Sequence, residues 1–122
     1  MKIRIKGNSI RYRLTKTEVD NFSRTGILEE QTEMAGGTLY YALEKCDEEN
    51  GLSASFHQNK IIFLIPQSIA KEWTETNITG FENRMKLANG HELFLLIEKD
   101  FVCLDNTFED QSDNYPNPNA VC

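Results

Sequence analysis

The chain has 122 residues, 39% hydrophobic and 26% charged, with a formal net charge of −6. That length predicts one domain with its own core, and the composition excludes a disordered chain and argues against a general nucleic-acid binder, which carries a basic excess. The longest apolar runs, 61–65 and 93–97, fall far short of the about 20 residues of a membrane span, and charges at positions 2, 4 and 6 stand where a signal peptide needs an apolar stretch, so the expected location is the cytoplasm.

The charge is unevenly spread. Lys2, Arg4, Lys6, Arg11, Arg13 and Lys16 fall in the first 16 residues, and all 19 acidic residues come later. Residues 2–6 alternate charged and apolar, which predicts a strand. Gly7-Asn8-Ser9 predicts a turn and Ile10–Leu14 a second strand. Strand alternation then puts Lys2, Arg4, Lys6, Arg11 and Arg13 on one face of a hairpin. Thr15 and Glu18 form a capping box, with Leu14 and Val19 as its hydrophobic staple, so a short helix runs from Lys16 to about Arg24 and stops at Gly26.

Ile27–Met34 and Thr38–Cys46 read as strands around Gly36-Gly37. Asp47–Gly51 is an acidic turn. Leu52, Ala54 and Phe56 alternate with Ser53, Ser55 and His57, as in a half-buried strand. Gln58-Asn59-Lys60 leads into Ile61–Ile65, apolar on both sides. A second short helix, Gln67 to about Thr74, presents Ile69, Ala70 and Trp73. Phe81–Leu87 alternates again, Asn89-Gly90 predicts a tight type I′ hairpin, and His91 to about Leu104 returns. Residues 105–122 hold Asp105, Glu109, Asp110 and Asp113, no base, and an Asn-Pro-rich end, which reads as an acidic tail. No internal repeat is apparent. The expected fold is α+β: a mainly antiparallel sheet of six to eight strands, flat or curled into a barrel, with two short helices over residues 1–104.

Chemistry-bearing motifs are few. Cys46, Cys103 and Cys122 are an odd number without Cys-x-x-Cys or His spacing, so neither a disulfide framework nor a zinc site is expected; a cysteine in an apolar strand, such as Cys103, is a small core residue. Asp105–Asp113 lacks the glycine and spacing of a calcium loop. No nucleophile elbow, P-loop or dinucleotide motif is present, and no cofactor is expected. His57 and His91 sit beside turns as surface residues, and Glu44 and Glu98 stand where a side chain can face a sheet interior, although strand-end carboxylates are usually solvated.

The basic face carries the functional question. Like charges directly opposite one another destabilise a strand pair, so the five cations need anions. The simpler source is the chain itself: Glu29, Glu30 or Glu33 on a neighbouring strand, or the acidic tail lying across the face. The other is a bound anion, for which arginine is suited by its bidentate geometry.

The strings K-I-R-I-K-G-N-S-I-R-Y-R-L-T-K-T-E-V, K-E-W-T-E-T, E-K-D-F-V-C-L-D and D-Q-S-D-N-Y-P-N-P-N resemble those of a family of small bacterial proteins of unknown function. The resemblance spans nearly the whole chain. It implies a bacterial, soluble origin and brings no reaction, ligand or catalytic residue. By fold analogy only, triphosphate-binding tunnels of the adenylyl-cyclase and thiamine-triphosphatase type also carry charged strands, but open on E-x-E-x-K, where carboxylates hold a metal. Here cations stand in place of both glutamates. The leading expectation is a non-enzymatic domain that binds a small anion or acidic protein through Lys2, Arg4, Lys6, Arg11 and Arg13. The alternatives are a tunnel-type phosphate-ester enzyme and an interaction protein pairing through an edge strand such as the Asn89-Gly90 hairpin.

Overall fold

The computed structural model describes residues 1–101, 113 and 115. Among them lie eight strands and two helices, in the order expected from the sequence: β1 (Lys2–Lys6), β2 (Ser9–Leu14), α1 (Lys16–Thr25), β3 (Ile27–Met34), β4 (Gly37–Cys46), β5 (Ser53–His57), β6 (Lys60–Pro66), α2 (Gln67–Glu75), β7 (Gly80–Lys86) and β8 (Glu92–Lys99). The fold is α+β, but the expected single sheet does not form. The strands make two mixed sheets of four, ordered β1-β2-β8-β7 (sheet I) and β3-β4-β6-β5 (sheet II), and they are not closed into a barrel. Each sheet joins two antiparallel hairpins through one parallel pair, β2 with β8 and β4 with β6. Parallel partners lie far apart in the chain and carry no turn signal, so reading hairpin by hairpin misses the join.

A second correction concerns repetition. The segments β1-β2-α1-β3-β4 and β5-β6-α2-β7-β8 are one ββαββ unit used twice, and exchanging the units carries sheet I onto sheet II. The registers agree. Tyr12 pairs with Ile97 as Phe63 pairs with Leu43, and Arg13 pairs with Glu98 as Leu64 pairs with Glu44. Buried Val19 and Phe22 on α1 match buried Ala70 and Trp73 on α2. Lys45 donates to the Ser23 carbonyl near the end of α1, and Lys99 to the Thr76 carbonyl at the end of α2. Two equivalent pairs meet at the pseudo-two-fold axis: Tyr12 and Phe63 with ring centres 4.7 Å apart, and Phe22 and Trp73 at 6.4 Å. The repeat is hidden in the sequence because core positions ask only for apolar volume, and most outward positions of the two units differ.

The inner faces of both sheets and the buried residues of both helices form one core around Tyr12, Leu43, Phe63, Trp73 and Ile97. Burial pushes the Tyr12 hydroxyl pKa well above its ordinary 10, against a smaller opposing pull from the Ala42 backbone. Local signals hold where they are strongest. The Thr15–Glu18 capping box is formed in both directions, and Gly26 closes α1 in the left-handed conformation. The N-terminus of α2 has no side-chain cap at Pro66; Glu49, from the acidic turn, accepts from the Ser68 amide and hydroxyl instead. The Asn89-Gly90 turn differs from expectation. Leu87 O accepts from Gly90 N, and only Gly90 has positive φ, the pattern of a type I turn closed by a G1 bulge. The two-residue turn with both residues at positive φ is Gln58-Asn59, at 49° and 63°. The last residues of the expected domain (102–104), Cys103, Cys122 and the tail apart from Asp113 and Tyr115 lie outside the described residues. Cys46 is a free thiol whose pKa is raised by burial.

The N-terminal ammonium ties three elements together. Met1 N contacts the carboxylates of Glu18 on α1 and Glu30 on β3, so Glu30 is engaged here and not on the basic face. Burial alone would lower the Met1 ammonium pKa, but the hydrogen bonds and charges of Glu18 and Glu30 raise it above the ordinary 8.0. Burial alone would raise the Glu18 pKa, and the ammonium with the Thr15 backbone brings it below 4.5. The raised group stabilises the fold fully below pH 8.0 and loses that contribution as pH rises through its folded value. The lowered group stabilises above pH 4.5 and loses its share as pH falls through its own. Thermal melts should therefore fall off on both sides of this window. Glu18→Gln keeps the capping reach and removes the charge, so its melting temperature should change less than wild type between pH 7 and 9.5. Parallel curves for the two proteins would refute this role.

Candidate anion site

The five predicted cations share one face, as the alternation requires. Lys2 pairs with Arg13 and Arg4 with Arg11, while Lys6 faces Ser9; the intervening Ile3 and Tyr12 turn toward the core. Across β2 the outward row continues onto β8, Arg13 opposite Glu98 and Arg11 opposite Leu96. This face is the outer surface of sheet I.

The counter-charges differ from those expected. Lys60, not the basic hairpin, takes Glu29. Glu98 serves the basic face from beneath: its Oε1 accepts from Arg13 Nε at 2.9 Å and Nη2 at 2.7 Å, and lies 3.5 Å from Arg11 Nε. Only 1% of the Glu98 side chain is exposed, against 25% for Arg13, so the usual solvation of strand-end carboxylates does not hold for Glu98. Asp100, just past β8, accepts from Lys2 Nζ at 2.9 Å and lies 4.0 Å from Arg13 Nη1. The signal that could have found Glu98 was the long apolar run of β8 ending in one acid. What hid it was the parallel pairing, which alone puts that acid beside Arg13.

Gly80 of β7 lies opposite Glu98 on its other side. A Cβ at Gly80 would stand 2.2 Å from the Ile97 carbonyl oxygen and 3.0 Å from Glu98 Cβ. The missing side chain lets β7 press close against the backbone carrying the buried carboxylate.

Lys2, Ile3, Arg4, Arg11 and Arg13 line a pocket of about 380 Å³ on this face. Four of the five predicted cations thus surround one volume. Lys6, one row further along, is exposed and does not line it. Glu98 pairs with Arg13 and Arg11 and Asp100 with Lys2, and neither carboxylate lines the pocket. Chemically, the arrangement offers forked N–H donors and a point charge to an oxyanion. Among the described residues no cluster of three or more His, Cys, Asp or Glu forms that would hold a metal ion. His57 and His91 are exposed. No helix among the described residues is long and apolar enough to cross a membrane.

Comparison with curated proteins and with solved structures returns no match. A family model matches residues 1–119, nearly the entire chain, and so the protein belongs to a family of unknown function, DUF7009.

Proposed function

We propose that this protein is a non-enzymatic domain that binds an oxyanion, a free phosphate or the phosphate or carboxylate of an acidic partner, in the pocket of sheet I. The observation that carries this reading is the grouping of Lys2, Arg4, Arg11 and Arg13 around one volume. Directly opposed cations cost stability in a strand pair; Glu98 and Asp100 offset part of that charge, and an anion in the pocket would offset more of it.

The tunnel-type enzyme is less well supported. It needs a closed barrel, whereas the two sheets are open, and it needs carboxylates available for a metal. Glu98 is committed to Arg13 and Arg11, and Asp100 to Lys2. The test is a thermal-shift titration at low ionic strength with inorganic phosphate, pyrophosphate and polyglutamate. An anion at about 100 times its Kd adds roughly 2.7 kcal/mol to apparent stability, so the wild type should show a rise of several degrees with at least one probe. Arg4→Ala/Arg11→Ala should lose that rise. Equal rises in both proteins, or none in either, would sink the proposal. The same titration on a chain ending at residue 104 separates a free ligand from the chain's own acidic tail as the natural anion: anion affinity that increases on truncation identifies the tail as a competitor.

A further inference from the structure

The anion pocket has a neighbour on the same face. Two residues along each strand from the row Arg4–Arg11–Leu96–Glu82, the row Lys6–Ser9–Phe94–Arg84 crosses sheet I. Phe94 belongs neither to the core cluster nor to the residues packed against it, and it is half-buried on the outer surface. The guanidinium carbon of Arg84 lies 5.3 Å from the centre of the Phe94 ring, within cation–π range. Arg84 is exposed, so this pair of planar groups meets solvent.

Strand geometry sets how far this pair stands from the pocket. Phe94 is opposite Ser9, one strand across and two residues along from Arg11, a Cα separation of roughly 8 Å. Leu96, on β8 beside Arg11, is 3% exposed and gives the interval an apolar floor. The internal repeat supplies a control within the molecule. Sheet II keeps an aromatic, Tyr40, at the position of Phe94, but carries Gln31 in place of Arg84, and Ile62 and Leu64 in place of Arg11 and Arg13. Of the two equivalent faces, only that of sheet I combines clustered anion donors with an arginine stacked on an aromatic ring.

We infer that the ligand of the sheet I pocket is a nucleotide, its phosphate held by Lys2, Arg4, Arg11 and Arg13 and its base stacked on Phe94 and Arg84. The inference rests on the anion-binding reading and narrows it from any oxyanion to a phosphate that carries a flat aromatic ring. A phenyl ring and a guanidinium plane are both surfaces on which bases stack, and a sugar joins phosphate to base over a reach comparable with the separation of pocket and ring. The net charge of −6 opposes a long polyanion, which favours a free nucleotide over a nucleic acid.

The test is isothermal titration calorimetry of the full chain at low ionic strength with ADP and with pyrophosphate, which brings similar charge and no ring. Stacking of one base is worth about 5- to 150-fold in affinity, and wild type should prefer ADP by a factor in that range. Phe94→Leu/Arg84→Lys removes both planar surfaces and changes no charge. It should bind ADP no better than pyrophosphate, with its pyrophosphate affinity unchanged; an unaltered far-UV spectrum and a cooperative melt check its fold. Equal affinities of wild type for ADP and pyrophosphate would overturn the inference and leave the anion-binding reading standing, whereas binding of neither would sink both. A variant that weakens the two probes alike would make Phe94 and Arg84 structural supports of the pocket and overturn the inference, as would an oligonucleotide that binds where ADP does not.

Discussion

Glu98→Ala should lower the melting temperature by on the order of 10 °C. The carboxylate is almost fully buried and accepts twice from Arg13, with Arg11 close by. Removing one partner of a buried ion pair costs about 3–5 kcal/mol, because the remaining charge is left uncompensated. Arg13 and Arg11 keep some access to water, which puts the loss near the lower end, about 3 kcal/mol. For a domain of this length that converts to roughly 10 °C. The substitution also exposes like-charge repulsion, since Lys2 faces Arg13 and Arg4 faces Arg11 across the hairpin. The double variant Arg13→Leu/Glu98→Ala should recover part of the Glu98→Ala loss, as the equivalent position Leu64 shows that leucine fits this row. Chemical denaturation of the two singles and the double measures their coupling, expected at about 1–3 kcal/mol for residues in one network. Additive singles, or a Glu98→Ala loss within about 0.5 kcal/mol, would show that the buried pair contributes no net stability.

Gly80→Ala should be at least as damaging, by a different route. No charge changes and no hydrogen bond is removed. The added methyl would sit 2.2 Å from the Ile97 carbonyl oxygen, and that oxygen belongs to a backbone strand that cannot rotate aside. β7 must lift from β8, with overpacking costs that reach about 3 kcal/mol. Because Gly80 faces Glu98, the displacement falls beside the carboxylate that orients Arg13 and Arg11. Hydrogen exchange should therefore show faster exchange of the β7–β8 amides, with the β3–β4 hairpin unchanged. A variant as stable as wild type would mean that β7 relaxes at little cost and that the close approach is incidental.

How far the chain could be read in advance follows the range of the interactions involved. The helix from Lys16, its capping box and its Gly26 stop were legible because each contact spans four residues or fewer. The shared face of Lys2, Arg4, Lys6, Arg11 and Arg13 was legible because a strand alternates strictly and the hairpin turn lies beside it. The source of the counter-charge was not. Glu29 and Glu30 are nearer in sequence, yet one meets Lys60 and the other the N-terminal ammonium. The carboxylate at the site comes from β8, at the far end of the described chain.

The duplicated architecture was illegible for a related reason. Tyr12 and Phe63, or Phe22 and Trp73, are interchangeable as apolar volume and unrecognisable as identities. Their equivalence appears only when they meet across the axis. By itself, then, the sequence determined the elements, their order and the five-cation face, because caps, turns and alternation act between near neighbours. Tertiary structure alone decided that the strands divide into two sheets, that β2 lies along β8, and that Glu98 is buried against Arg13, because those pairings join segments whose local signals are complete without each other.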